Sequence, residues 1–135
     1  MTEQTMPIHE LRHVLTVDDF DRATAFFRDA LGLKQVAAWE NDGGHAVLLN
    51  AGRATLEIFD QSQARAIDEI EVGRRVAGQV RVAFQTSNSE ASANDLVRAG
   101  AEILSGPVTT PWGDRNVRLL GPDGIQVTLF TPSVE

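Results

Sequence analysis

Hydrophobic and polar positions alternate along the chain in a pattern that occurs twice. Residues 9–17 alternate with the period of a half-buried strand, and residues 19–31 place apolar side chains along one side of a helix that ends at Gly32. Residues 80–100 repeat this plan and also end in a glycine, Gly100. Because strand-like segments follow each copy, the pattern predicts two tandem βαβββ modules that share one core.

The segments after each helix are separated by turn sequences such as NDGG and AGR. In the first copy, the predicted strands are 34–40, 45–50 and 54–60. In the second copy, the predicted strands are 79–86, 101–105, 115–120 and 125–130, around a helix at 89–98. We expect a single domain, 1–135, with module one at about 8–60 and module two at about 78–132. The connector between them, at about 61–77, should contain a helix of about two turns.

Composition narrows the function classes. Hydrophobic residues make up 42% and charged residues 23% of the 135 residues, which is typical of a folded globular domain. The net charge of −7 repels phosphate backbones, so we expect no nucleic-acid partner. Cysteine is absent, which excludes a disulfide framework and a zinc–thiolate site. Without a membrane-length apolar run or a secretory signal at the N-terminus, we expect no membrane partner and a cytoplasmic location.

Three stretches of the sequence carry a family resemblance. They are LRHVLTVDDFDRATAFFRDALGL, ATLEIFD and PWGDRNVRLLGPDGIQVTLF. Together they resemble the vicinal oxygen chelate superfamily, which includes glyoxalase I, extradiol dioxygenases and bleomycin resistance proteins. The resemblance covers nearly the whole chain and implies an α+β fold, in which the modules form an open, barrel-like sheet with a ligand cleft. It implies no single reaction, because the superfamily contains isomerases, lyases, oxygenases, transferases and binding proteins.

The family places its metal ligands on the first and last strand of each module. Carried onto this chain, the four positions are Arg12, Glu57, Arg81 and Thr128. Only Glu57 is a usual ligand, since a guanidinium has no lone pair to donate. We therefore expect no bound metal and no cofactor. Strand alternation independently places the four side chains on mixed faces that line the cleft, opposite apolar faces covered by the helices.

Two hypotheses describe this group of charges. Arg12, Glu57 and Arg81 form a structural ion cluster, or they form a cleft that accepts an anion, because two cations and one carboxylate leave positive charge uncompensated. In either case Glu57 should lie within salt-bridge distance of at least one arginine. In the second hypothesis, Glu57 neutralises part of the positive charge through forked hydrogen bonds. Related proteins pair their modules within a chain or exchange them between chains, so the resemblance also implies a homodimer.

The histidines suggest an alternative metal site. A shift of one residue in the first strand would bring His13 beside Glu57, but it would also move the apolar positions off the helix-covered face. We therefore expect His13 beneath a helix or at its edge, and His9 at the surface. His45 is expected at the surface or the cleft rim, with a role as a base in the pocket left open.

The aromatic residues Trp39, Phe59, Trp112 and Phe130 form either an apolar wall for a planar ligand or ordinary core. Trp112 lies in a Pro-Trp-Gly loop and is expected near the cleft mouth. The predicted ligand-binding residues are Arg12, Glu57, Phe59, Arg81, Trp112, Thr128 and Phe130.

The predicted function is metal-free binding of a small, partly aromatic or anionic molecule in the cleft, with antibiotic sequestration as one form of it. One alternative is a metal-dependent lyase, isomerase or dioxygenase that uses Glu57 and a displaced histidine. Another is a metal-free enzyme in which Arg12 or Arg81 polarises a carbonyl or enolate. The sequence favours a binding protein over an enzyme and leaves the ligand unnamed.

Overall fold

A computed structural model describes residues 8–133 as an open, mixed sheet of eight strands with three α-helices. The strands are β1 (Ile8–Thr16), β2 (Lys34–Asn41), β3 (Gly44–Ala51), β4 (Ala54–Phe59), β5 (Val80–Thr86), β6 (Glu102–Thr109), β7 (Arg115–Leu120) and β8 (Gln126–Thr131). The helices are α1 (Phe20–Thr24), which continues as a π-helix (Ala25–Ala30), α2 (Gln61–Glu71) and α3 (Ser89–Arg98). The N-terminal residues 1–7, on which the expected location partly rests, lie outside this range.

The strand order is β2-β3-β4-β1-β5-β8-β7-β6. β1 runs parallel to β4, β5 runs parallel to β8, and the two halves join where β1 pairs antiparallel with β5. The modules, β1–β4 with α1 and β5–β8 with α3, therefore pair within one chain. The predicted α+β fold with an open sheet is confirmed, whereas the homodimer stays a prediction. Within the described range, none of the helices is both long and apolar enough to span a membrane.

Equivalent residues begin the outer helices of the two modules. Asp19 caps α1 and Asn88 caps α3, and each side chain accepts the backbone N–H of the third residue after it at 3.0 Å. The caps are 69 residues apart (88 − 19), as are Arg12 and Arg81 (81 − 12). The structure thus confirms the register of the repeat that the sequence predicts.

The apolar strand faces lie beneath the outer helices, as alternation predicts. Ile58 packs with Val47 and Leu49 against apolar side chains of the α1 segment. Leu129 packs with Val117 and Leu119 in a second cluster beneath α3. His13 is exposed and so does not lie beneath a helix, which leaves a position at the edge of a helix as the remaining part of the prediction. α1 packs on β4 and α3 packs mainly on β6–β8, which leaves this part of β1 open. His9 and His45 are exposed, as predicted.

The connector helix α2 packs on the concave face of the sheet. It is longer than predicted, with 11 residues or about three turns, and Asp60 caps it through the N–H of Gln63 at 2.8 Å. Its Ala64 and Ile67 belong to a core cluster that also contains side chains of β1, β3, β4, β5 and β8. At Gly44, a Cβ would lie 2.2 Å from the backbone nitrogen of Gln63, so only glycine allows this approach. A helix thus occupies part of the face expected to be cleft.

Candidate functional site

A cavity of about 320 Å³ opens on the concave face between the sheet, α2 and the loop before β7. Its apolar lining consists of Trp39, Phe59, Ile67, Ala83, Trp112 and Phe130. Its polar lining consists of Arg12, Glu40, Asn41, Glu57, Gln63, Glu71, Asp114 and Asn116. The cavity therefore combines an aromatic wall with a polar wall that is rich in carboxylates.

The sequence-predicted residues divide between this cavity and the interior behind it. Those that line the cavity are Arg12, Glu57, Phe59, Trp112 and Phe130. Arg81 and Thr128 are buried instead, and the Arg81 Nη1 donates to Thr128 Oγ1 at 2.9 Å. Trp112 is 44% exposed, which suits a position near the mouth. A ligand-binding role for any of the seven predicted residues stays a prediction.

Each of the two equivalent arginines stacks on an aromatic ring from the other module. The guanidinium carbon of Arg12 lies 5.0 Å from the centre of the Phe130 ring, and that of Arg81 lies 5.6 Å from the Phe59 ring. Both are within the range of a cation–π interaction. Phe59 and Phe130 are 71 residues apart (130 − 59), as are Glu57 and Thr128 (128 − 57), so the internal symmetry repeats the contact.

Arg12 is held mainly by Glu10. Its Nε and Nη2 donate to the two carboxylate oxygens of Glu10 at 2.9 and 3.2 Å, whereas its Nη1 lies 3.9 Å from Glu57 Oε1. The predicted salt-bridge distance to Glu57 is confirmed. The predicted forked hydrogen bonds to Glu57 are wrong, because Glu10 lies on the same strand face two residues away and takes the fork. Thr55 Oγ1 donates to Glu10 at 2.8 Å and fixes that carboxylate.

The residues at the family's metal positions do not suit a divalent ion. Two are guanidinium groups, and the Oγ1 of Thr128 already accepts a hydrogen bond from Arg81. Across residues 8–133, no group of three or more His, Cys, Asp or Glu is placed to hold a metal ion. His13 and His45 each precede a residue of the concave core cluster, so their side chains point to the other face of the sheet.

A buried arginine that the sequence analysis missed lies at the centre of the second module. Arg118 is 0% exposed, and its Nη1 donates to Asp68 Oδ1 at 2.9 Å and its Nη2 to Glu71 Oε1 at 2.7 Å. Its Nε donates to Thr128 Oγ1 at 3.0 Å. Two signals were available: alternation places Arg118 on the face of Thr128, and Asp68 and Glu71 share one side of α2.

Asp68 also ties α2 to the chain that follows it. Its Oδ2 accepts the backbone N–H groups of Val76 and Ala77 at 2.7 and 2.8 Å. Burial opposes its ionisation, but these hydrogen bonds and the charge of Arg118 outweigh burial and hold the pKa of Asp68 below its ordinary value. The ionised carboxylate is therefore a stable partner for Arg118.

The net pKa shift is the opposite for two carboxylates that line the cavity, because there burial outweighs the other effects. Burial raises the pKa of Glu57, although Arg12 and Arg81 favour the ionised form. It also raises the pKa of Asp114, although Trp112 Nε1 donates to that carboxylate at 3.1 Å. The environment of both groups therefore favours the protonated form more than water does.

Solved structures share this fold over nearly the full chain. Methylmalonyl-CoA epimerase from Mycobacterium tuberculosis superposes with a TM-score of 0.68 at 20% identity, covering 98% of this chain and 94% of that chain. A variant of Streptomyces coelicolor methylmalonyl-CoA epimerase in complex with 2-nitronate-propionyl-CoA gives 0.65 at 20% identity, covering 94% and 99%. A glyoxalase/bleomycin resistance protein/dioxygenase superfamily member from Vibrio splendidus 12B01 gives 0.63 at 13% identity, covering 90% and 97%. At these identities the likeness establishes the fold alone.

Sequence comparison assigns the family. Among curated proteins, none matches the chain significantly. The family model described as Glyoxalase/Bleomycin resistance protein/Dioxygenase superfamily matches residues 9–129, which include all eight strands apart from the first residue of β1 and the last two of β8. The chain therefore belongs to the Glyoxalase/Bleomycin resistance protein/Dioxygenase superfamily.

Proposed function

We propose that this protein binds a small, partly aromatic molecule in the concave cavity without the help of a metal ion. The observation that carries the proposal is a cavity of about 320 Å³ whose wall includes four aromatic side chains, from Trp39, Phe59, Trp112 and Phe130. Pockets of about 300 Å³ and above, with aromatic linings and a few polar groups, are typical of small-molecule sites. Sequestration of an aromatic antibiotic is one role that such binding would serve.

The choice of metal-free binding rests on the donor set. Arg12 and Arg81 occupy two of the four family metal positions, and Thr128 is engaged by Arg81. Elemental analysis of protein purified without chelators tests this part. We expect less than about a tenth of an equivalent of Ni, Zn, Fe or Mn per chain, since a structural or catalytic site would bind close to one. One ion per chain that is lost in Glu57→Gln would contradict the proposal.

A cavity-filling variant tests where the ligand binds. Ala83 is buried in the cavity wall, so Ala83→Leu adds volume there without removing a polar group. We expect aromatic probes such as 2-naphthamide to bind this variant at least about tenfold more weakly than the wild type, measured by calorimetry. Ala91→Leu, at an exposed position of α3, is the matched control. Equal affinity for Ala83→Leu and wild type would contradict a site in this cavity.

We also propose the homodimer that the sequence predicts. The sheet ends in two edge strands, β2 and β6, whose side chains are largely exposed, with Val36 and Ile103 among them. Exposed edges favour pairing with another chain unless they are covered. Light scattering at micromolar concentration should give twice the mass of 14.7 kDa. A mass of one chain would contradict this part alone.

A further inference from the structure

The carboxylate of Glu57 lies in the cavity wall without a hydrogen bond. Glu57 is only 8% exposed, and within residues 8–133 its one cation in salt-bridge distance is Arg12, whose Nη1 is 3.9 Å from Oε1. That distance is longer than a hydrogen bond. In the same range, the unpartnered polar side-chain atoms that solvent cannot reach belong to Thr24, Gln63 and Asn116. The Glu57 oxygens are not among them and are therefore open to the cavity.

The guanidinium of Arg12 presents one unused donor beside this carboxylate. Its Nε and Nη2 donate to Glu10, and its face stacks on the Phe130 ring at 5.0 Å. In the described part of the chain, Nη1 has no hydrogen-bond acceptor and, like the Glu57 oxygens, is not closed to solvent. Because Glu10 and Phe130 fix the plane of the guanidinium, Nη1 keeps its place at the cavity wall.

The two open groups form a donor–acceptor pair whose atoms are 3.9 Å apart. A hydroxyl oxygen about 2.8 Å from both closes this gap at an angle of about 90°, accepting from Arg12 and donating to Glu57. A primary amide also fits, with its carbonyl towards Arg12 and its N–H towards Glu57. An ester or carboxylate offers Glu57 no donor, and an amidinium offers Arg12 no acceptor. Water makes both bonds, so a ligand that displaces it must reproduce both to keep its affinity.

The other polar groups of the lining do not change this requirement. Asn41 Oδ1 accepts from Gln63 Nε2, which leaves the Asn41 amide nitrogen as a second donor for an acceptor elsewhere in the cavity. Asp114 already accepts a hydrogen bond at 3.1 Å from the indole of its own loop. Among the described residues, neither group donates to Glu57 or accepts from Arg12.

We infer that Arg12 and Glu57 together select an aromatic ligand with a neutral group that both accepts and donates a hydrogen bond, as a phenolic hydroxyl or a primary amide does. This inference rests on the proposed function and names the group that its site recognises. Phe59, two residues from Glu57 on the same strand face, and Phe130 beneath Arg12 place aromatic surface beside the pair, so the polar group and the ring of the ligand bind together.

Naphthalene derivatives of similar size test the inference. 2-Naphthol and 2-naphthamide carry both functions, 2-methoxynaphthalene, methyl 2-naphthoate and 2-naphthoate only accept, and 2-naphthamidine only donates. By calorimetry at pH 7 we expect 2-naphthol to bind at least about tenfold more tightly than 2-methoxynaphthalene, and 2-naphthamide at least about tenfold more tightly than the ester, the carboxylate or the amidine.

The series also distinguishes the two protonation states of Glu57. Burial favours the protonated form, which would present a second donor and select ligands that only accept. A carboxylate, ester or amidine that binds as tightly as 2-naphthamide would therefore overturn the inference and leave the proposed function standing. Equal affinity for 2-naphthol and 2-methoxynaphthalene would do the same.

A variant separates the hydrogen bond from the extra methyl group of the ether. Glu57→Met removes the acceptor at similar volume, and the preference for 2-naphthol over 2-methoxynaphthalene should fall to about twofold or less. Glu40→Met is the matched control and should keep the full preference, because Glu40 lines the same cavity but its side chain is 66% exposed. An unchanged preference in Glu57→Met would overturn the inference.

A measurement on the wild-type protein avoids any effect of the variants on folding. The ¹³C signal of the Glu57 carboxylate should shift further with 2-naphthol than with 2-methoxynaphthalene, because only the first donates to it. Shifts of equal size with both compounds at saturation would also overturn the inference. If none of these probes binds to the wild type at millimolar concentration, the proposed function itself fails.

Discussion

The two modules present the same two positions on the concave face and use them differently. In the first module, Arg12 and Glu57 line an open cavity. In the second module, the equivalent Arg81 and Thr128 are buried and joined by a hydrogen bond. The two cation–π contacts are equivalent between the modules, whereas the solvent exposure of the two arginines is not. A duplicated backbone can therefore place one equivalent pair of side chains at a cavity and bury the other pair.

Two positions on the inner face of the sheet explain why the second pair is buried and the first is not. On β7, Asn116 and Arg118 face the cavity side opposite Phe130 and Thr128, whereas Ala46 and Leu48 of β3 lie opposite Phe59 and Glu57. A buried guanidinium requires acidic partners, and α2 supplies them with Asp68 and Glu71. α2 packs against strands of both modules, but its two buried carboxylates pair with Arg118, which lies in the second module.

The largest expected effect comes from removing the cation that fills the second half. Arg118→Met leaves Glu71 buried without a cation and removes one of the two cations of Asp68, which keeps Arg75 at 3.0 Å. We expect a loss of about 3–5 kcal/mol in the free energy of unfolding. Urea denaturation measures it. Arg98→Met is the control, because the side chain of Arg98 is 72% exposed and its ion pair with Asp95 should contribute at most about 0.5 kcal/mol.

The same experiment has a second arm that isolates the charge. Adding Glu71→Gln to Arg118→Met should recover part of the loss, because a neutral amide does not need a cation. A single Arg118→Met variant within about 1 kcal/mol of wild type would show that α2 is held by apolar packing instead.

The next effect comes from the contact that seats α2 on the first module. Gly44→Ala places a Cβ against the backbone of Gln63, so α2 or β3 must move, and we expect a loss of about 1–3 kcal/mol. Thermal and urea melts measure it. Gly78→Ala is the matched control, since its Cβ would meet no atom within 4 Å. Equal stability of the two variants would mean that α2 does not depend on this approach.

The smallest effect is the pH dependence that Glu57 of the first module contributes to stability. Burial raises the pKa of Glu57 in the folded state, so the folded state binds this proton more tightly than the unfolded state does. Its ionisation therefore costs stability above the folded pKa, and the cost disappears as the pH falls towards the unfolded value. Wild type should gain stability relative to Glu57→Gln on going from pH 7 to pH 4.

This difference is measured by parallel urea titrations across that range. The control, Glu102→Gln at an exposed position of β6, should track wild type at every pH. A stability difference between wild type and Glu57→Gln that stays constant from pH 7 to pH 4 would contradict the raised pKa of Glu57.

Residues near in sequence carried most of what could be predicted about this protein. The repeat register followed from the matching strand and helix patterns that end at Gly32 and Gly100, and the period of two in the strands assigned Arg12 and Glu57 to the concave face. These properties are local, because backbone geometry alone determines which side chains share a strand face or begin a helix. Glu10, two residues from Arg12, followed the same rule and was overlooked.

Tertiary structure decided which half of the face stays open. A helix of about two turns was expected in the connector 61–77. The place of the observed helix depends on the approach of Gly44 to Gln63 and on Arg118, which lies 50 residues from Asp68 and 47 from Glu71. Ion pairs over such separations form only when the strands have already brought their partners together, so no local pattern specifies them. The sequence by itself determined the fold and which side chains share the concave face of the sheet. The long-range contacts that position α2 determined the cavity.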